Sequence, residues 1–406
     1  MFTPLSVILT VTIYMGLLFA IAQVVEKRIQ SGGNAKGNPW IYALSLAVYH
    51  TSWTFYGSVG FAASSGLLFL GIYGGAIAGI ALWWITLKRM VQAKNTFRIT
   101  SIADFISTRY NRSQKIAALV TIIALVGILP YISLQLKAII SSFELITNTG
   151  ETTHNLSALL VTLFMIGFTI IFGVRRLDPT ERHQGMIAAL VAECLVKLFA
   201  FLAVGFFVTY TLFDGFGDIV TRLKEADLDH VISFTATENS GIMWVTLLIL
   251  SFSAIQNLPR QFHVAVVENS NPNHIKTAMW LFPLYMVLIN LFVVPIAAAG
   301  LLMGMPAENA DFFVLLLPQQ AGSDALTLLA FIGGFSAATG MIIITTMTLS
   351  TMASNHLILP AIETIPGLQF LRSYLLQLRW IGVSLILLSS LWFAQEFADS
   401  YILVAI

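Results

Sequence analysis

The 406-residue sequence holds one cysteine, Cys194, and only 10% charged residues. A lone thiol excludes an intrachain disulfide and a cysteine metal cluster. Soluble domains carry about 25% charged and about 45–50% apolar residues, whereas this chain is 57% hydrophobic with a mean hydropathy of +0.84. That excess needs a second apolar phase besides a protein core, so the chain reads as an all-α polytopic membrane protein. A net charge of +1, from 21 basic and 20 acidic residues, argues against nucleic acid as a partner and against a disordered acidic tail. No HExxH, Walker loop, GxSxG or kinase box occurs, so these 406 residues carry no recognisable catalytic machinery.

What is present is a series of long apolar runs. A spanning helix needs about 20 mostly apolar residues, and that template predicts spans at 5–26, 40–61, 67–90, 116–147, 155–174, 184–213, 241–265, 275–304, 325–358 and 379–396. The first has no basic stretch before it and is too long for a cleaved signal peptide. A further apolar run opens at Tyr401. Loops alternately assigned to one side hold Lys27, Arg28, Lys36, Lys88, Arg89, Lys94, Arg98, Arg109, Arg112, Lys115, Arg175, Arg176, Arg182, Lys276, Arg372 and Arg379. The other side holds only Arg222 and Lys224, in an acidic stretch from Asp214 to Glu238. Basic loops stay in the cytoplasm, which puts the N-terminus outside.

Two spans are interrupted. One breaks at Tyr49-His50-Thr51-Ser52-Trp53, the other over 253–261, where Pro259 lacks a backbone donor and disfavours helix at Leu258. They run in opposite directions and open two halves about 200 residues apart, the pattern of inverted repeats whose broken helices meet at the membrane midplane. The expected organisation is an extra helix and loop over 1–39, a five-helix repeat over 40–213 and an external loop over 214–240. A second repeat follows over 241–406, truncated in its fifth helix.

Charge inside the bilayer costs at least ~2.5–3.5 kcal/mol at a helix centre, which makes the few intramembrane ions informative. Glu193 and Lys197 stand four apart, the favourable order for a pair on one helix face. A self-neutralised structural pair and a switchable pair for ion or proton coupling both fit. Lys137 lies about 15 Å from the outer end of its span, with Gln135 beside it, and can face a solute carboxylate. His50 can hydrogen-bond a solute or carry a proton, or simply join helices. Tyr49, Ser52, Trp53 and Tyr56 surround it. Gln256, Asn257, Arg260 and Gln261 are the polar groups of the second break, although Arg260 and His263 also fit as interfacial anchors. Ser336, Thr339, Thr346, Ser350 and Ser354 form a hydroxyl stripe that lines a path or back-bonds to its own helix. Gly71, Gly75 and Gly79 make a packing ridge. Ser101 with Asp104 reads as the cap of a short amphipathic helix on the cytoplasmic surface, its apolar face formed by Ile102, Phe105, Ile106 and Tyr110.

These motifs resemble the sodium:solute symporter family. Thr100-x3-Asp104-Phe105-x3-Arg109-Tyr110 is similar to its cytoplasmic signature, with one residue of extra spacing. Residues 40–60 and 256–263 are similar to its first and sixth core helices. Residues 43–57, 178–183, 258–263 and 349–352 further resemble the transporter-like N-terminal domain of certain bacterial sensor histidine kinases. The resemblance implies a five-plus-five inverted-repeat fold of the LeuT type in a bacterial inner membrane, with a small solute, an amino acid such as histidine or proline, as ligand. It implies no cofactor, Na+ or H+ as coupling ion, and a response regulator reached through kinase domains. A stand-alone symporter is the alternative. The family's sodium-linked acid falls at His50, and an imidazole is a poor sodium ligand, which favours protons or pure sensing.

Overall fold

The computed structural model describes residues 2–31, 37–149, 154–174 and 183–397. Lys36, Arg175, Arg176, Arg182, the motif at 178–182 and the apolar run from Tyr401 lie outside them. Among the described residues there is no strand, and nine helices are long and apolar enough to cross a membrane.

Helix α1 (Pro4–Gln30) starts at Thr3, whose hydroxyl accepts from the Ser6 amide at 3.2 Å. The first interrupted span begins as α2 (Pro39–Ser45), tightens into a 3₁₀ turn over Leu46–Tyr49 and stops at His50, whose φ of −81° and ψ of 112° are extended. It resumes as a π turn over Trp53–Gly57 and continues as α3 (Ser58–Ser65). Gly66, at φ +60°, reverses the chain where a side chain would be strained. Then come α4 (Leu70–Ala81), α5 (Thr86–Phe97), α6 (Ile102–Thr108), α7 (Gln114–Thr147), α8 (His154–Gly173), α9 (Gln184–Phe207) and α10 (Phe216–Glu225).

The second interrupted span is α11 (Ser240–Asn257), the extended residue Leu258 (φ −60°, ψ 128°) and α12 (Pro259–Phe262). The break is one residue wide, not the whole of 253–261. Proline forbids helix only to the residue before it and is itself well suited to a first turn. The chain ends with α13 (His274–Asn290), α14 (Val293–Leu302), α15 (Phe313–Gln320), α16 (Asp324–Ala353), α17 (Leu359–Thr364) and α18 (Leu375–Glu396). Helix α18 starts ahead of the expected boundary at 379. Arg379 is therefore a buried helix residue rather than a loop cation, and its guanidinium donates to Asn355 Oδ1 at 3.1 Å.

Packing follows composition. Helix α16 is apolar with small hydroxyl residues on every side, and nearly all of it from Ala330 to Met352 is buried against α7, α8, α9 and α18. The glycine ridge of α4 lies on α11. A Cβ on Gly75 would sit 2.1 Å from Ser251 Oγ and 2.2 Å from the Leu248 carbonyl oxygen, so only glycine permits this approach. Helix α6 corrects an expectation. Ser101 Oγ does cap Asp104 N at 3.1 Å, but the Asp104 carboxylate turns back to Thr100, accepting from its amide at 2.9 Å and its hydroxyl at 2.6 Å. Its apolar face meets protein: the Phe105 ring lies tilted against Phe262 at 5.6 Å, and Tyr110 lies beyond the helix, 60% exposed.

Candidate functional site

The two breaks meet at the centre of the molecule. A broken helix frees carbonyls from helical partners. At this break they are those of Ala47, in the 3₁₀ turn after α2, which also accepts from the His50 amide at 3.0 Å, and of His50 itself. Lys197, buried on α9, donates to both, at 3.0 and 2.5 Å. The C-terminal end of a half-helix carries partial negative charge, so an ammonium satisfies it. Glu193 turns elsewhere, accepting from Thr339 Oγ1 of α16 at 2.9 Å at its carboxylate and from Ser336 Oγ at 3.0 Å at its carbonyl. The four-residue spacing therefore forms no ion pair. Each charge joins α9 to a different neighbour.

On the other side of the break, Gln135 Oε1 accepts from Ser52 N at 2.9 Å and Ser52 Oγ at 2.7 Å. Gln135 thus holds the break through its carbonyl oxygen, while its amide nitrogen reaches the Tyr131 carbonyl at 3.4 Å. Thr51 shares a hydrogen bond with Tyr131 at 3.0 Å, and the Arg260 guanidinium lies 4.8 Å above the Tyr131 ring. Arg260 is 2% exposed, its Nε and Nη1 have no hydrogen-bond partner, and no ion pair to it occurs among the described residues. It is a central group rather than an interfacial anchor. Gln261 Nε2 reaches the Leu46 carbonyl at 3.5 Å, whereas Asn257 is exposed and back-bonds to Ser253 at 3.1 Å, and Gln256 is half-buried. Asn257 therefore does not join the centre.

His50 is fully buried in a cage of aromatic rings. Tyr73 stacks parallel at 6.1 Å, with Tyr285 at 5.0 Å and Phe282 and Tyr49 at 5.7 Å. Its Nε2 and the Tyr73 hydroxyl have no partner. Tyr49 is the chain neighbour of His50, but Tyr73 comes from α4 and Phe282 and Tyr285 from α13, and no spacing in the sequence links those three to residue 50. Of the hydroxyl stripe, only Ser336 and Thr339 reach α9. Ser350 donates to the Arg379 carbonyl at 2.8 Å.

Cavities lie at opposite ends of this centre. One of about 400 Å³ is lined by Ser52, Trp53, Tyr56, Lys137, Glu308 and Asp311. Enclosure by protein raises the Asp311 carboxyl above its usual range although its surface faces the cavity, and Lys137 pulls the other way. The other, of about 610 Å³, reaches from Tyr42 and Ser45 on α2 to Gln184 and Glu268.

No family model matches the chain. It is 23% identical over 290 residues to the uncharacterized symporter YhjB of Bacillus subtilis (strain 168), covering 70% of this chain and 56% of that one. It is 23% identical over 227 residues to the uncharacterized symporter YodF of the same organism, covering 55% and 43%. The chain thus spans about half the length of the curated relatives it matches. A solved structure, the substrate-bound outward-open state of a Na+-coupled sialic acid symporter, superposes with a TM-score of 0.72 at 14% identity. The superposition covers 99% of this chain and 84% of that one. The fold is that of this symporter, the LeuT-type inverted repeat, in a multi-pass membrane protein.

Proposed function

We propose that the chain is the core of a secondary transporter that carries a small carboxylate-bearing solute by alternating access. The observation behind this reading is Arg260, a buried guanidinium with unpartnered nitrogens, placed where the two breaks meet. Lys197 adds a second buried cation within Coulombic range of Arg260, with the Glu193 carboxylate also near Lys197. Burying an unpaired charge is expensive, and a solute anion brings the missing charge. An amino acid fits this chemistry. His50 Nε2 and the Tyr73 hydroxyl offer hydrogen bonds to the rest of the solute, and the cavities at either end are its two approaches. Both curated relatives are described as symporters, which favours transport over the sensory domain of a histidine kinase acting on a response regulator. The bias of basic residues supports an N-terminus outside the bacterial inner membrane.

For coupling, the carbonyls at a half-helix end are where broken-helix transporters seat a metal cation, and here Lys197 reaches them. We read Glu193 and Lys197, each bonded to a different neighbour of α9, as the groups of proton coupling, with His50, Cys194 and Arg260 around Lys197.

The test is uptake of a labelled panel of amino acids and monocarboxylates into proteoliposomes under separate sodium and proton gradients. Proton-driven uptake of a carboxylate, lost in Arg260→Gln, is expected. Uptake untouched by Arg260→Gln would remove the anion reading, and sodium-dependent uptake surviving His50→Ala would remove the proton reading. Specific binding without uptake would restore the sensor.

A further inference from the structure

A second cluster of chemistry-bearing side chains lies at the end of the molecule where the larger cavity opens, away from the helix breaks. His183 precedes the first turn of α9, and His263 and Glu268 follow α12. In an α-helix, residues five apart point about 140° away from each other. Here the turn over His263–Val267 is a π turn, closed by the Glu268 amide donating to the His263 carbonyl at 3.0 Å. That brings the imidazole and the carboxylate together. Such turns recur at functional sites.

Glu268 Oε1 lies 3.5 Å from His263 Nε2 and 3.6 Å from His183 Nδ1, and the three ligand atoms fall within 4.8 Å of one another. These separations are long for hydrogen bonds. The two separations from Glu268 are close to the spacing of about 3.4 Å between ligands on a tetrahedral ion with bonds of about 2.1 Å. His263 and the Glu268 side chain are 2% and 3% exposed, and His263 Nε2 and Glu268 Oε2 have no hydrogen-bond partner. The His183 amide donates to Glu268 Oε1 at 2.6 Å, which orients the carboxylate as an outer hydrogen bond does in metal centres. The 610 Å³ cavity touches Glu268 and provides the way in.

We propose that His183, His263 and Glu268 bind a divalent transition ion such as Zn²⁺, with water in the fourth position. Two imidazoles and one carboxylate suit zinc and its neighbours and not Mg²⁺ or Ca²⁺, which take oxygen ligands. The ion adds a second link between the start of α9 and the segment after α12, beside the hydrogen bond from the His183 amide to Glu268.

The experiment uses the full chain, purified through a tag other than polyhistidine, stripped with EDTA and equilibrated with Zn²⁺. One ion per chain is expected, together with a rise in melting temperature that EDTA reverses. Co²⁺ should give the visible absorption of a tetrahedral site. His263→Gln and Glu268→Gln should each weaken binding at least ~10-fold. His183→Gln, at a half-buried position, should do the same while leaving the metal-free melting temperature near that of the parent. Folded parent protein without stoichiometric Zn²⁺, or binding unchanged in all three variants, would overturn the site. None of these readouts depends on transport.

Discussion

Replacing Lys197 with alanine tests what holds the first helix break. The ammonium donates to the Ala47 and His50 carbonyls at 3.0 and 2.5 Å. A hydrogen bond to a charged group contributes about 1.5–3 kcal/mol, so two of them set a ceiling of roughly 3–6 kcal/mol. The variant no longer desolvates a buried charge, which offsets part of this. A net loss of about 2–3 kcal/mol is expected. If the ammonium stands where a cation belongs, sodium should occupy the vacated carbonyls of the variant. At 100 times its Kd a bound ion restores about 2.7 kcal/mol. Thermal melting of purified protein in sodium chloride and in choline chloride reads this out. The parent should melt alike in both salts, while Lys197→Ala should melt lower in choline and recover in sodium. A parent stabilised by sodium, or a variant indifferent to the cation, would refute the reasoning.

Gln135→Leu should strand the Ser52 amide and hydroxyl in a buried site, costing about 1–3 kcal/mol by melting, with a matching loss of solute affinity as the break loosens. Gly75→Val should separate α4 from α11, because the clash includes the Leu248 backbone, and lower stability by at least ~1–3 kcal/mol. Asp104→Ala should free the Thr100 amide and hydroxyl and remove the carboxylate that lies 3.3 Å from His356, in the π turn (Ser354–Ile358) that follows α16. A loss of about 1–2 kcal/mol is expected, and no change in melting would assign Asp104 no structural part.

The two breaks and the glycine ridge were legible because each has a local cause. Proline acts on the residue before it, and glycines four apart face one way. The partners of Glu193 and Lys197 were not legible. Spacing on one helix says which side chains are neighbours but not which carbonyl or hydroxyl another helix presents, and here those partners outcompeted the pair itself. Asn257 lies away from the centre for a related reason: a one-residue break changes which face turns inward, so Arg260 and Gln261 are buried while Asn257 faces out.

By itself the sequence determined the membrane environment, the order of the spans and where two of them break, since hydropathy and proline act through neighbours in the chain. Only the tertiary structure decided that an ammonium from α9 holds the first break. It also decided that Arg260 is buried with unpartnered nitrogens, and that a π turn brings His263 and Glu268 to His183. Those relations join residues as much as 150 positions apart, and they follow from how helices pack, which no local pattern encodes.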